Sequence, residues 1–152
     1  MSEYLQTVFD KFELRVHKEY HYTTDGLWTK MEAGRVRVGV SDYLQRTGGD
    51  AAFVEVVSQG STIERQTEFG TLETAKTTVS LLSPISGTSE QVNGILSEKP
   101  ELVNSDPYGE GWLVIMAPRN LEDDLKTLTS ANQYFELMLK KLEREHEKLE
   151  AR

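Results

Sequence analysis

Short runs of β-prone residues fill the middle of this chain and constrain its fold more than any other feature. Between Leu14 and Met116, runs rich in Val, Thr, Ile and Phe alternate with Gly, Pro, Asn, Asp and Ser. This texture is typical of many short antiparallel strands, which pack as a sandwich or a barrel. The sequence predicts strands at 27–32, 35–40, 52–57, 68–74, 78–83, 87–92 and 112–117.

The N-terminus has a different pattern. Its apolar residues recur at helical spacing, which predicts a short amphipathic helix within residues 1–13: Tyr4, Leu5, Val8, Phe9 and Phe12.

The C-terminal part is also predicted to be helical. Residues 121–128 have the pattern of a short helix, and Ser130 can cap a longer one that follows it. We therefore expect a mainly β fold with α in three segments: a helical extension at 1–13, a β-sandwich domain at 14–118 and a helical segment at 119–152.

Composition excludes several function classes. With 25 acidic and 17 basic residues the net charge is −8, so binding to nucleic-acid phosphates is not expected. The absence of cysteine excludes disulfides, thiolate nucleophiles and iron–sulfur clusters. No apolar run approaches the roughly 20 residues that span a bilayer, and the first residues lack a secretory pattern, so we expect a soluble, cytoplasmic protein without a membrane partner.

One lysine occupies a position that suggests chemistry. Strand 68–74 approaches Lys76 and strand 78–83 leaves it, with small residues Thr74 and Ala75 between, so Lys76 is predicted at a hairpin tip. A lysine there is held by its flanking strands while its side chain stays free, which suits covalent attachment of a long acyl arm. An ordinary solvated turn lysine would have the same pattern.

The surrounding motifs favour the first interpretation. Residues 73–76 read Glu-Thr-Ala-Lys and residues 83–87 read Ser-Pro-Ile-Ser-Gly; 100–104 read Pro-Glu-Leu-Val-Asn and 106–112 read Asp-Pro-Tyr-Gly-Glu-Gly-Trp. In this order and spacing they resemble the glycine cleavage H-protein family, over about residues 22–118.

The resemblance implies a fold, a cofactor and partners. It implies a flattened β-barrel sandwich of the lipoyl/biotinyl hybrid-motif type, with lipoate attached to Lys76 and Glu73 helping the lipoylating enzyme to recognise the hairpin. The protein would be a carrier and not an enzyme. Its arm would receive an aminomethyl group from a pyridoxal-phosphate glycine decarboxylase, pass it to an aminomethyltransferase and be reoxidised by dihydrolipoamide dehydrogenase.

One departure from the family leaves alternatives open. Gly26 and Leu27 precede Trp28, where H-proteins typically carry His-Glu. A second hypothesis is therefore an H-like lipoate-binding protein that carries sulfur intermediates to a heterodisulfide-reductase-like complex. A third is an unmodified H-like binding module. Biotin attachment is disfavoured because Ala75 and Thr77, and not methionines, flank Lys76.

Other candidate residues have simpler explanations. His17 and His21 are four apart, but the segment is predicted to be extended and offers no third ligand, so no metal site is expected. Asp123 and Asp124 are expected to favour the N-terminus of a helix. Trp28 and Trp112 are expected in the core or at its edge. No catalytic residue is assigned.

Overall fold

A computed structural model describes residues 2–150, without the side chain of Leu149. It contains eleven strands and four α-helices, with a short 3-10 helix at Gly94–Ser97. The strands are β1 Tyr4–Phe9, β2 Phe12–His17, β3 His21–Tyr22, β4 Leu27–Glu32, β5 Arg35–Val40, β6 Ala51–Val56, β7 Thr62–Ile63, β8 Glu68–Thr74, β9 Thr78–Leu82, β10 Gly87–Val92 and β11 Val114–Pro118. The helices are α1 Asp42–Gly48, α2 Leu102–Ser105, α3 Leu121–Leu125 and α4 Ala131–Glu150.

The strands form three antiparallel sheets. The largest has the order β3-β4-β5-β11-β10-β7, the second β6-β8-β9 and the third β1-β2. The main core joins the first two sheets, since it combines Val36 and Val38 of β5 with Leu72 of β8 and Leu81 of β9. The expected mainly β sandwich is confirmed. The expected barrel is not closed, because within residues 2–150 no strand of the large sheet pairs with a strand of the second.

Local sequence explains the β4–β5 hairpin. Its two-residue turn places Ala33 at φ 47° and Gly34 at φ 79°, the positive values that a type I′ turn requires. Valines alternate along β5, and Val36, Val38 and Val40 are all buried. The predicted bounds of both strands are confirmed.

The expected N-terminal helix is wrong. Residues 4–17 form the β1–β2 hairpin, with Val8 opposite Glu13 and Phe9 opposite Phe12. Asp10 and Lys11 take up positive φ values of 46° and 71°, which close a two-residue turn. Buried Leu14 and Val16 alternate along β2, so strand packing overrides the helical spacing of the first apolar residues. The expected boundary after residue 13 therefore falls inside β2.

The expected C-terminal helix is confirmed. The Ser130 hydroxyl accepts from the backbone N–H of Gln133 at 3.2 Å, and the Gln133 side-chain oxygen accepts from the Ser130 N–H at 3.1 Å. This reciprocal pair is a capping box that fixes where α4 begins. The helix buries Tyr134, Met138 and Leu142 in a second core with residues of β2, β3 and β4. Burial of each such side chain contributes about 1.5–3 kcal/mol.

None of the helices in residues 2–150 is both long and apolar enough to cross a membrane.

Candidate functional site

The β8–β9 hairpin places Lys76 at its tip. Glu73 pairs with Thr78, and residues 75–77 form the turn. The Thr74 hydroxyl accepts from the N–H groups of Lys76 at 3.1 Å and Thr77 at 3.0 Å, and donates to the Thr77 carbonyl at 3.0 Å. A serine, which the family typically has here, could make the same bonds. Thr74 therefore orders the tip and leaves the Lys76 side chain exposed.

The lysine side chain leans towards the end of α1. Its Nζ donates to the Thr47 carbonyl at 3.3 Å. Its stem passes over Gly49, where an added Cβ would lie 3.1 Å from the Lys76 Cδ. Gly49 also has φ 92°, a value that L side chains rarely adopt. Two independent constraints therefore favour glycine beside the lysine.

A cleft of about 380 Å³ opens beside the lysine. Three elements that are distant in sequence line it: the β1–β2 hairpin, α1 and α4. The lining residues are Phe9, Asp10, Phe12, Leu14, Tyr43, Arg46, Thr47, Lys76, Leu142 and Glu145. Its volume is within the range of small-molecule sites, and its walls combine apolar side chains with a few polar groups.

Polar contacts hold the walls of this cleft. The Arg46 guanidinium lies 3.9 Å from the centre of the Phe12 ring, a cation–π contact that joins α1 to the hairpin. The Tyr43 hydroxyl donates to a Glu145 carboxylate oxygen at 3.1 Å and joins α1 to α4. Burial, followed by the negative charge of Glu145, raises the pKa of Tyr43 well above its ordinary value, so Tyr43 stays a neutral donor.

Glu73 lies outside the cleft. Its side chain is exposed on β8, opposite Phe53 of β6 and Thr78 of β9. It is three residues from Lys76 and forms no ion pair within the described part of the chain. The structure therefore presents Glu73 and Lys76 on the same hairpin but not in contact.

The structure accounts for the glycine at position 26, two residues before Trp28. Gly26 has φ 101°, and an added Cβ would lie 3.1 Å from the Leu44 Cβ and 3.3 Å from the Tyr134 hydroxyl. That hydroxyl is 2.9 Å from the Ser41 hydroxyl, and burial raises the pKa of Tyr134 to about 12. Leu44 of α1, Ser41 and Tyr134 of α4 thus occupy the space that a side chain at position 26 would need.

The remaining candidates have structural roles. His17 stacks on Tyr20 with 3.9 Å between ring centres, and burial lowers the pKa of His17. No cluster of three His, Cys, Asp or Glu residues suited to a metal ion occurs among residues 2–150. Trp28 is fully buried and its indole N–H donates to the Pro107 carbonyl at 2.9 Å, as expected for a core residue. Trp112 is half-buried at the edge of the second core, beneath Arg37.

Sequence reasoning missed one buried carboxylate. Asp124 was expected only to favour a helix N-terminus, but it is 5% exposed and accepts from the Ser86 N–H at 2.7 Å. The Arg65 guanidinium approaches its other oxygen at 3.7 Å. Asp124 therefore anchors the turn that follows β9. Its distance of 38 residues from Ser86 in sequence left no local signal.

The fold and the lysine hairpin define a class of protein: a β-sandwich of the lipoyl-domain type that presents a lysine. A crystal structure of a glycine cleavage system H protein from Mycobacterium marinum has a similar fold, with a TM-score of 0.70 and 29% identity, covering 78% of this chain and 95% of that one. The Glycine cleavage H-protein family model matches residues 18–141. The chain belongs to the glycine cleavage H-protein family.

Curated relatives are similar in sequence to this chain over most of their own length. A glycine cleavage system H protein from Bacteroides fragilis is 43% identical over 113 residues, which are 74% of this chain and 89% of that protein. One from Geobacillus kaustophilus is 38% identical over 117 residues, 77% of this chain and 91% of that protein. A carrier role follows from membership of this family.

The family match leaves out both ends of the chain. β1, β2 and the last turns of α4 lie outside residues 18–141. These segments supply Phe9, Phe12, Leu142 and Glu145 to the cleft. The part of the cleft that faces Lys76 from the hairpin and from α4 is therefore an addition to the family core.

Proposed function

We propose that this chain is a lipoyl carrier protein, with lipoate joined through an amide bond to Nζ of Lys76. The observation that carries the proposal is the position of Lys76 at the ordered tip of the β8–β9 hairpin, in a chain of the H-protein family. Backbone and Thr74 bonds hold the tip, while the side chain projects from it. This arrangement suits an amine that an enzyme must reach and that must afterwards carry a mobile arm.

The residues beside Lys76 fit such an arm. The cleft offers the apolar faces of Phe9, Phe12 and Leu142 to a hydrocarbon chain, and the Tyr43 hydroxyl and the Glu145 carboxylate to the amino group of an aminomethyl load. The lipoyl group would supply the redox-active sulfurs that a chain without cysteine lacks. Acylation would replace the charge of one lysine by a neutral amide, so the net charge would become −9 from the present −8.

In the leading form of the proposal, the arm serves glycine cleavage. It would take an aminomethyl group from a pyridoxal-phosphate glycine decarboxylase to an aminomethyltransferase, and dihydrolipoamide dehydrogenase would reoxidise it. Tethering favours such transfer because it raises the effective concentration of the arm at each partner's site. Glu73, exposed on the same hairpin, would help the lipoylating enzyme recognise Lys76. The protein itself would act as carrier and substrate, not as an enzyme, in the cytoplasm.

A second candidate is a lipoate-binding carrier of sulfur intermediates for a heterodisulfide-reductase-like complex. The observation that favours it is that tightly packed Gly26 and buried Leu27 stand where glycine-cleavage members typically have a polar pair. Part of the cleft beside Lys76 is lined by residues outside the family match, from the β1–β2 hairpin and from the last turns of α4. Both candidate functions place the lipoyl arm on Lys76, and they differ in the chemical group that the arm transports.

A decarboxylase exchange assay separates these candidates. Purified protein is lipoylated, and exchange of labelled bicarbonate into the glycine carboxyl group is measured with glycine decarboxylase from the same organism. Glycine cleavage predicts exchange that saturates with the lipoylated protein and disappears with Lys76→Arg. No exchange with fully lipoylated protein would contradict the leading form and leave the sulfur carrier.

A further inference from the structure

The outer face of the β6-β8-β9 sheet carries one large apolar residue. Phe53 is 65% exposed, and a register shift between Ala51 and Phe53 turns both Ala52 and Phe53 outward. Its neighbours on this face are polar. We call the set the lysine face, because it belongs to the sheet that presents Lys76: Phe53, Glu55, Thr71, Glu73, Thr78 and Ser80.

Two carboxylates flank the aromatic ring. Glu73 is directly opposite Phe53 in the register, and Glu55 is two residues further along β6 on the same face. Both are exposed, and neither forms an ion pair with any other residue between 2 and 150. Residues directly opposite in an antiparallel pair have Cβ atoms about 4.5–5.5 Å apart, so Glu73 lies against the Phe53 side chain. The lysine face thus presents one exposed aromatic ring with a carboxylate on each side.

An exposed aromatic residue among polar neighbours can anchor a protein–protein contact. Interfaces place buried aromatic anchors at their centre and polar groups around them, and a few such anchors carry most of the binding energy. An unpaired acidic border favours a partner with basic side chains. We propose that Phe53 anchors the enzyme that acylates Lys76, with the ring entering an apolar pocket that basic side chains surround.

Among the enzymes that would act on Lys76 or its arm, the acylating enzyme fits the position of Phe53 best. This choice rests on the proposed function. The acylating enzyme must bring its acyl donor to Nζ itself, so it must surround the hairpin tip. Phe53 pairs with Glu73, only three residues from Lys76, and is therefore held in a fixed position relative to the amine. Enzymes that act on the distal end of a finished arm can work at a distance from the lysine face.

The acylation step has a simple balance. The uncharged Lys76 amine attacks the carbonyl carbon of lipoyl adenylate, which the enzyme forms from lipoate and ATP. The C–N bond forms as the C–O bond to AMP breaks, and the amine gives its proton to solvent. The interaction of Nζ with the Thr47 carbonyl is released first, which the exposed position of Lys76 allows.

The test measures acylation of the full apo chain by a bacterial ATP-dependent lipoate–protein ligase, followed by intact mass. Phe53→Ser should lower kcat/KM about tenfold, mainly through KM, as for loss of an interface anchor. Ile95→Ser, which also removes an exposed apolar side chain, is 41% exposed on the 3-10 helix and should leave kcat/KM unchanged. Since Phe53 is mostly exposed, Phe53→Ser should keep a melting temperature close to that of the wild type.

The outcomes separate this proposal from the proposed function. If the wild-type chain is not acylated, the lipoyl-carrier assignment itself fails. If the wild type is acylated, Lys76→Arg is not, and Phe53→Ser reacts at the wild-type rate, only the anchor is refuted. Phe53→Ser that has been driven to full lipoylation should support decarboxylase exchange as the wild type does. A loss in that assay with normal acylation would assign the lysine face to the decarboxylase and overturn the proposal.

Discussion

The hydroxyl of Thr74 is expected to control how readily Lys76 is modified. Thr74→Val keeps the shape of the side chain but removes one donor and one acceptor, which together make three hydrogen bonds across the tip. The tip is exposed, so water replaces part of what is lost, and the three bonds together are worth about 1–1.5 kcal/mol in ordering the turn. The equilibrium constant between the ordered and the disordered tip should then fall by roughly five- to thirteenfold.

The assay is the initial rate of lipoylation of the apo chain, with the melting temperature measured alongside. The ligase is expected to bind the ordered tip, so Thr74→Val should be acylated more slowly, by at most about thirteenfold. Thr74→Ser retains the hydroxyl and should react as the wild type does. A Thr74→Val chain that is acylated at the wild-type rate, or a Thr74→Ser chain that is equally slow, would refute the role of these bonds.

Three further predictions concern the frame around the site. Gly26→Ala should lower the free energy of unfolding by about 1–3 kcal/mol because of its positive φ, and further because of contact with Tyr134. Gly34→Ala has φ 79° but open space around the added methyl group, so it should show the backbone cost alone. Chemical denaturation measures both. Leu142→Ala should cost about 2–5 kcal/mol, since Leu142 is 5% exposed, and should detach α4 from the cleft, measured by hydrogen exchange in α4. Burial lowers the pKa of His17 below its usual 6.5, so its contribution to stability is present above pH 6.5 and is lost as the pH falls through the folded pKa. His17→Phe should therefore reduce the loss of melting temperature below pH 6.5, and an unchanged pH profile would contradict this.

Much of the β-sandwich could be predicted because its signals are local. Alternating valines and the Ala33-Gly34 turn determine β4 and β5, and both strands have the predicted bounds. β8 and β10 also have the predicted bounds. The lysine hairpin follows from two neighbouring strands, and its position needs no long-range information.

The errors arise where long-range contacts decide the structure. The apolar residues of the first segment have helical spacing, which leaves Val8 70% exposed in the observed strand, and the packing of Leu14 and Val16 selects the hairpin. Helix α1 was not predicted, although Ser41 caps it by accepting from the Leu44 N–H at 3.2 Å. The strand signal of the preceding residues concealed this short helix.

The cleft could not be predicted from sequence. Phe12 and Arg46 are 34 residues apart, and Leu142 lies almost a hundred residues beyond, yet all three line one cavity. No spacing rule connects such positions, and Phe12 and Leu142 lie outside the residues that match the family. The attachment lysine was accessible to sequence reasoning because it lies in one hairpin, whereas its surroundings depend on the complete fold.

Attachment of a lipoyl group to Lys76 decides the proposed function. Its most direct test is the intact mass of the full-length chain isolated from its native host in lipoate-containing medium, with fragmentation to locate any added group. If Lys76 carries the arm, the mass should increase by one lipoyl group located on Lys76, and the isoelectric point should shift towards acid. Lys76→Arg should show neither change. A chain whose Lys76 is bare in a cell that lipoylates other proteins would contradict lipoyl attachment and support an unmodified binding module.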